Sequence, residues 1–250
     1  MKLYVLPLEK ACNAKCKWCI TNYRNTVKRE ILELGNLEKI LSGKSFDKIE
    51  ITGGGEPMLH PKINEIIEMC SDKAVTIMYT NGTFLEKLSR SIRLKELCIS
   101  VASYDLEKNK EIMGVFPDVN YALALGIPLK FSLLLHKSGI NKRGDVLKYL
   151  DWASDRAEKV VVRQLFEHNE SIYNKMLREE FVSSEKVFRE LKIGDYILSK
   201  HGNPIFNYKN LEVEFEYRSC ACETENPVLH ADGRFHKGWT SEVLNDINRL

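Results

Sequence analysis

Three cysteines stand in the run Cys12-Asn13-Ala14-Lys15-Cys16-Lys17-Trp18-Cys19, and the run Thr52-Gly53-Gly54-Gly55-Glu56-Pro57 follows further along the chain. Three thiolates at this spacing can hold three irons of a [4Fe–4S] cube, which leaves the fourth iron without a protein ligand. An iron with an open position can bind and activate a small molecule, so the pairing points to catalysis more than to electron transfer. A structural zinc site is the alternative. Such sites take four ligands, often as two C-x2-C pairs. Only one such pair is present, at Cys16 and Cys19, so the fourth ligand would come from a distant part of the chain. For Gly53, Gly54 and Gly55 the alternative is a phosphate-cradling loop, but the Gly-Lys-Ser/Thr of a P-loop is missing.

Those residues need a frame to hold them. Strand-like apolar runs at 2–8, 48–52, 74–79, 96–102, 129–135 and 159–165 alternate with amphipathic stretches at 37–42, 62–70, 85–91 and 145–156. Several of the runs are near-continuous in apolar residues, as in parallel strands covered on both faces. Six strand–helix units predict an α/β fold, a partial (β/α)6 barrel, with chemistry at the C-terminal strand ends. The cysteine run follows the first strand, the glycine run the second, and Thr80-Asn81-Gly82 the third, so three candidate loops share one rim.

The pattern changes beyond residue 168. The stretch 169–191 reads as a polar helix, and 211–217 alternates with period two as a one-sided strand. Residues 227–236 read as a hairpin, with Asp232-Gly233 supplying the positive φ of its turn. Thr240 or Ser241 could N-cap a last short helix. The division expected is a core over 1–168 and a small C-terminal extension over 169–250, made of a helix, a β-hairpin and a short helix.

Bulk properties exclude several classes. The chain has 250 residues, 44% hydrophobic and 29% charged, with a net charge of +2. That near-neutral balance offers no basic field for nucleic acid and no surface for a membrane. No apolar run reaches the length of a membrane span, and the N-terminus lacks an export signal. Seven cysteines, an odd count in a chain this long, suit metal binding in a reducing cytoplasm better than a disulfide framework.

The spacing C-x3-C-x2-C, with Trp18 before the third cysteine, resembles the signature of the radical S-adenosylmethionine (SAM) superfamily, MoaA-like enzymes in particular. Ile51-Thr52-Gly53-Gly54-Gly55-Glu56-Pro57 resembles its GGEP motif. The resemblance covers roughly residues 1–168. It implies that Cys12, Cys16 and Cys19 ligate the cluster and that SAM chelates the open iron. It implies that Gly53, Gly54, Gly55 and Glu56 form the loop at the methionine moiety. A reduced cluster would then cleave SAM to a 5′-deoxyadenosyl radical that abstracts a hydrogen atom. The electron would come from a reductant such as a flavodoxin or ferredoxin. Trp18 would lie against the adenine, or simply pack its loop. Asn81 would contact the cofactor, or only make an Asn-Gly turn. Ser100 and Ser103 would meet the ribose or carboxylate, or cap backbone. Arg163, with Gln164, interrupts an apolar strand and needs a partner: a SAM carboxylate or a structural ion pair.

The C-terminal hairpin resembles the start of a SPASM or Twitch extension, but Cys220 and Cys222 are too few thiols for a full auxiliary cube unless His230, His236 or a partner chain contributes. Either thiol could instead return a hydrogen atom to a substrate radical, as in radical epimerases, or be an ordinary reduced cysteine. His236, Lys237, Arg218 and Tyr217 could bind a polar substrate or merely be solvated. His60 reads as a helix-entry residue, and Cys70 and Cys98 read as small buried hydrophobes. The first functional reading is a radical SAM enzyme acting on a small metabolite or natural-product intermediate, with epimerisation or rearrangement as the outcome. A peptide maturase is the alternative. A glycyl-radical activase fits less well, because such enzymes carry Tyr-Cys-His-Asn where this chain has Trp18-Cys19-Ile20-Thr21. A non-catalytic iron–sulfur or zinc module would leave the glycine run unexplained.

Overall fold

All six anticipated strands form, several of them shorter than their apolar runs, which continue past the strand ends at Leu6, Val101 and Leu135. They are β1 (Lys2–Val5), β2 (Lys48–Ile51), β3 (Val75–Thr80), β4 (Glu96–Ser100), β5 (Leu129–Leu134) and β6 (Lys159–Arg163). The computed structural model describes residues 1–23, 28–166, 171–217 and 226–236. The six strands pair in chain order, all parallel, as a partial (β/α)6 barrel requires. Parallel neighbours need crossovers: α1 (Leu34–Gly43) joins β1 to β2, α2 (Ile63–Ser71) joins β2 to β3, α3 (Leu106–Met113) and α4 (Val119–Ala124) join β4 to β5, and α5 (Arg143–Ala153) joins β5 to β6, whereas β3 passes to β4 without an α-helix.

Strands from beyond residue 168 extend the same sheet. After α6 (Ser171–Glu180) and α7 (Ser184–Leu191) come β7 (Ile197–Leu198), β8 (Pro204–Tyr208) and β9 (Leu211–Glu216). β9 lies parallel to β6, and β8 and β7 follow antiparallel. At the other end β10 (Val228–Leu229) lies parallel to β1, and β11 (Phe235–His236) closes the expected hairpin. The order among the described residues is β11-β10-β1-β2-β3-β4-β5-β6-β9-β8-β7, an eleven-stranded sheet.

Alternation along each strand divides the sheet into two chemistries. Leu3, Val5, Leu97, Ile99, Val213 and Phe215 join the apolar core under the helices. The intervening residues, such as Glu50, Cys98, Lys130, Arg163 and Glu216, face the concave side, where Glu50 is held by Lys2 and Lys48 at 2.7 and 2.9 Å.

Some expectations change. The stretch 85–91 keeps only one 3-10 turn, Leu85–Lys87. The Asn64 side chain ends it, donating to the Lys87 carbonyl at 2.8 Å and accepting from the Ser89 amide at 3.0 Å. The stretch 169–191 is two helices, because the Ser183 hydroxyl accepts the Lys186 amide and starts α7 anew. α3 and α4 were not legible as periodic runs; Asp105 and Asp118 cap them. Cys70 is buried in the apolar core. Cys98 is buried but is not part of that core: it lies among charges on the concave face, because its parity in β4 is that of Glu96 and Ser100. The proposed final helix lies outside the described residues.

Gly233 sits at φ 78, and a Cβ there would lie 2.2 Å from the Asn36 amide nitrogen. Gly233→Ala is expected to cost about 1–2 kcal/mol, read as a lower thermal midpoint than wild type.

Candidate active site

Local backbone geometry brings the cysteine and glycine runs together. The Lys10 amide donates to the Gly54 carbonyl at 3.0 Å, and the Glu56 amide donates to the Ala11 carbonyl at 2.8 Å. The approach leaves no room for side chains: a Cβ on Gly55 would lie 2.3 Å from the Ala11 oxygen, and one on Gly53 would lie 1.8 Å from the Gly55 oxygen. Glycine is required here by contact rather than by φ.

Glu56 is buried, and its carboxylate accepts three hydrogen bonds. The donors are the Thr80 hydroxyl at 2.6 Å, the Asn81 amide at 2.8 Å and the Met58 amide at 3.0 Å. Burial pushes its carboxyl up to about 7, although all three bonds favour the charged form. Glu56 therefore ties the glycine loop to the end of β3. From there the Asn81 side chain donates to Asn13 at 2.8 Å, and Asn13 donates to Thr83 at 2.9 Å. Asn81 is both a turn residue, accepting from the Thr83 amide, and a buttress of the cysteine loop.

Cys12, Cys16 and Cys19 line one cavity of about 310 Å³ with Gly53, Gly54 and Gly55. Among the described residues, no three His, Cys, Asp or Glu side chains close on a single ion. A polynuclear cluster needs no such convergence, since each thiolate takes its own iron. Burial, then the charges of Cys19 and Cys12, pushes the Cys16 thiol up to about 12; burial, then the charges of Glu56 and Cys19, raises Cys12. Soft thiolates crowded around one cavity fit an iron–sulfur cluster, whose cationic irons would relieve that repulsion.

Trp18 rests on His136, just past β5, with ring centroids 4.2 Å apart. Among the described residues, His136 alone has buried ring nitrogens without a hydrogen-bond partner. Burial pushes it down to about 4, so the ring is neutral. Gly139 clamps it from behind, since a Cβ there would lie 2.4 Å from the ring. Ser103 accepts the Asp105 amide ahead of α3. Ser100 and Arg163 lie on the concave face at the ends of β4 and β6, and Arg163 pairs with Glu216 at 2.7 Å. Gln164 holds Ser184 and the Tyr217 carbonyl. His60 accepts the Lys62 amide at Nδ1 and donates from Nε2 to the Leu32 carbonyl, consistent with helix entry. Cys220, Cys222, Arg218 and Lys237 lie outside the described residues.

Sequence reading missed Glu9 and His136, and took His230 only as a residue that could complete an auxiliary cluster. Buried Glu9 meets His230 at 3.0 Å and packs beside Gly54, so Glu9 bridges the C-terminal hairpin and the glycine loop. His230 in turn stacks on His236, centroids 3.8 Å apart, and His236 meets Asp232 at 3.0 Å. The only local signal was polar residues beside apolar strands.

These loops and this barrel define a class of enzyme that builds one cofactor site at the C-terminal rim of a parallel sheet. The radical SAM superfamily model matches residues 7–138, and the chain belongs to that superfamily, whose enzymes use a [4Fe–4S] cluster and SAM. A GTP 3′,8-cyclase of Aquifex aeolicus (strain VF5) is 30% identical over 159 residues, covering 55% of this chain and 48% of that protein. The GTP 3′,8-cyclase of Sulfurovum sp. (strain NBC37-1) is 27% identical over 249 residues, covering 89% and 74%. The chain thus spans about half the length of several such relatives, 48% of the Aquifex protein and 55% of a probable cyclase of Methanococcus maripaludis (strain C7 / ATCC BAA-1331). In fold it is similar to Streptococcus suis SuiB bound to S-adenosylmethionine, with a TM-score of 0.66 at 17% identity, covering 94% of this chain and 59% of that one. No helix among the described residues is long and apolar enough to cross a membrane.

Because its folded pKa is raised, Glu56 favours folding below its usual value of 4.5, and that contribution is lost as pH rises through about 7. Wild type should therefore lose on the order of 3 kcal/mol relative to Glu56→Gln between pH 4.5 and pH 8. Urea melts of both proteins across that range check it, and parallel pH profiles would refute it.

Proposed function

We propose that this radical SAM enzyme abstracts a hydrogen atom from a small metabolite or natural-product intermediate held on the concave face of the barrel. One observation carries the reading: the cavity shared by three cysteines and three glycines lies at the strand ends of a sheet whose concave face is polar. When bound, the cluster and SAM supply the one-electron cleavage that yields the abstracting radical. Cys12, Cys16 and Cys19 hold the cluster, and the backbone of Gly53, Gly54 and Gly55 accepts from the methionine ammonium. Glu56 keeps that loop in place, and Trp18, supported by His136, covers the adenine. Residues 1–168 act as the radical core, with 169–250 extending its sheet. Cys220 and Cys222 are the candidate hydrogen-atom donors for an epimerisation. A flavodoxin or ferredoxin in the cytoplasm serves as the electron donor.

A peptide substrate is the second reading. Among the described residues β7 ends the sheet, with Ile197 and Leu198 68% and 62% exposed, and an extended peptide can add to such an edge.

The test is 5′-deoxyadenosine release after anaerobic reconstitution with iron and sulfide, in the presence of SAM and a strong one-electron reductant. Wild type should release it and Cys16→Ala should not. A protein that takes up zinc in place of iron, or fails to bind SAM, would refute the proposal.

A further inference from the structure

Parallel register places Arg163 of β6 beside Glu216 of β9. The Arg163 Nε donates to Glu216 Oε2 at 2.7 Å, and the two side chains remain 35% and 21% exposed. That bond uses one donor of a five-donor fork. Among the described residues, nothing accepts from either terminal nitrogen of Arg163, and nothing donates to Glu216 Oε1. The pair therefore presents an unfilled planar donor edge beside an unfilled acceptor.

Other polar groups of the concave face are open as well. The hydroxyls of Tyr79, Ser100 and Ser132 have no hydrogen-bond partner among the described residues, yet none is sealed from solvent. Ser100 and Ser132 are register neighbours, and the charges of Lys130 and Arg163 both act on Tyr79 and Cys98, so these groups share one interior. Half-buried polar groups left open by the protein are the signature of a site that awaits a polar ligand.

Charge narrows the ligand. Lys130 is taken by Glu96 at 2.8 Å, Lys159 by Glu212 at 3.1 Å, and Lys2 and Lys48 share Glu50. Each cation on the described concave face thus meets a carboxylate, Lys2 and Lys48 sharing one. A triphosphate, charged on every phosphate, would find no cation there without a carboxylate beside it. A zwitterion matches the Arg163–Glu216 pair: its carboxylate takes the free guanidinium edge, where two parallel bonds are possible, and its ammonium takes the free glutamate oxygen.

We infer that the substrate is a small molecule with a free α-amino-acid head, gripped by Arg163 and Glu216. This rests on the radical SAM reading above and separates the chain from the nucleotide named for its cyclase relatives.

The test uses the anaerobically reconstituted full-length protein, already loaded with SAM. Each proteinogenic L-amino acid is titrated calorimetrically beside its decarboxylated amine and its deaminated acid, with GTP as the comparison. At least one amino acid should bind, with affinity falling about tenfold or more for both of its analogues. Arg163→Gln and Glu216→Gln should each weaken it by a similar factor and leave SAM affinity within about twofold. No amino acid binding better than its amine and acid would overturn the inference on wild type alone, whatever the variants' stability. GTP binding that depends on Arg163 but not on Glu216 would overturn it in favour of a phosphate site. Loss of SAM binding in a folded Arg163→Gln protein would assign that residue to the cofactor instead. A wild-type protein that takes up no cluster and no SAM fails the earlier proposal, a separate result seen before any amino acid is added.

Discussion

The buried carboxylate of Glu56 is the junction on which the site depends. It gathers the Thr80 hydroxyl and the amides of Asn81 and Met58, groups from two successive strand ends. Remove it and three donors lose their acceptor in a place water does not reach, each at a cost of roughly 1–3 kcal/mol. Through Asn81 and Asn13 the same junction braces the cysteine loop. Holding an acidic group in an apolar setting is expensive, and the protein offsets that cost with directed hydrogen bonds rather than a cation. The glycines belong to the same solution, because only a chain without side chains brings the Gly55 backbone against Ala11.

The sheet supplies the second half of the design. One face is apolar and lies under the helices; the other is charged and open. The concave face carries its charges in neighbouring pairs: parallel register sets Arg163 beside Glu216, while Lys130, whose register partner is Cys98, reaches Glu96 diagonally. Paired charges at an interior surface give little net stability. Their use here is chemical: they leave polar atoms presented to whatever occupies the barrel. Similarity to the cyclases is confined to sequence identities of about a quarter to a third, so a shared radical core and a different substrate head are compatible.

Two contacts tie distant parts of the chain to the rim. His136 lies under Trp18, and Glu9 reaches His230 of the C-terminal hairpin. Both are buried polar groups beside the cysteine and glycine loops, and both couple the loops to segments that come later in the chain. The hairpin thus bears on the glycine loop, because β10 lies against β1 and its turn lies against α1.

What the sequence determined by itself was whatever depends on local spacing. Three cysteines in one loop, a run of glycines and alternating apolar strands are short-range patterns, and they sufficed for the cluster, the barrel and the shared rim. The period-two pattern of Leu211–Glu216 was equally legible. Its place in the sheet was not, since pairing with β6 is a long-range event decided by which edge is free. Pairing partners of buried polar groups were hidden for the same reason. Nothing near Arg163 in the chain announces Glu216, and nothing near Trp18 announces His136. Cys98 shows the limit most plainly: composition makes it a small hydrophobe, and only its parity in a curved sheet turns it toward Lys130 and Arg163. Local chemistry is written along the chain; which groups face one another is settled by packing, where register and curvature act over the whole fold.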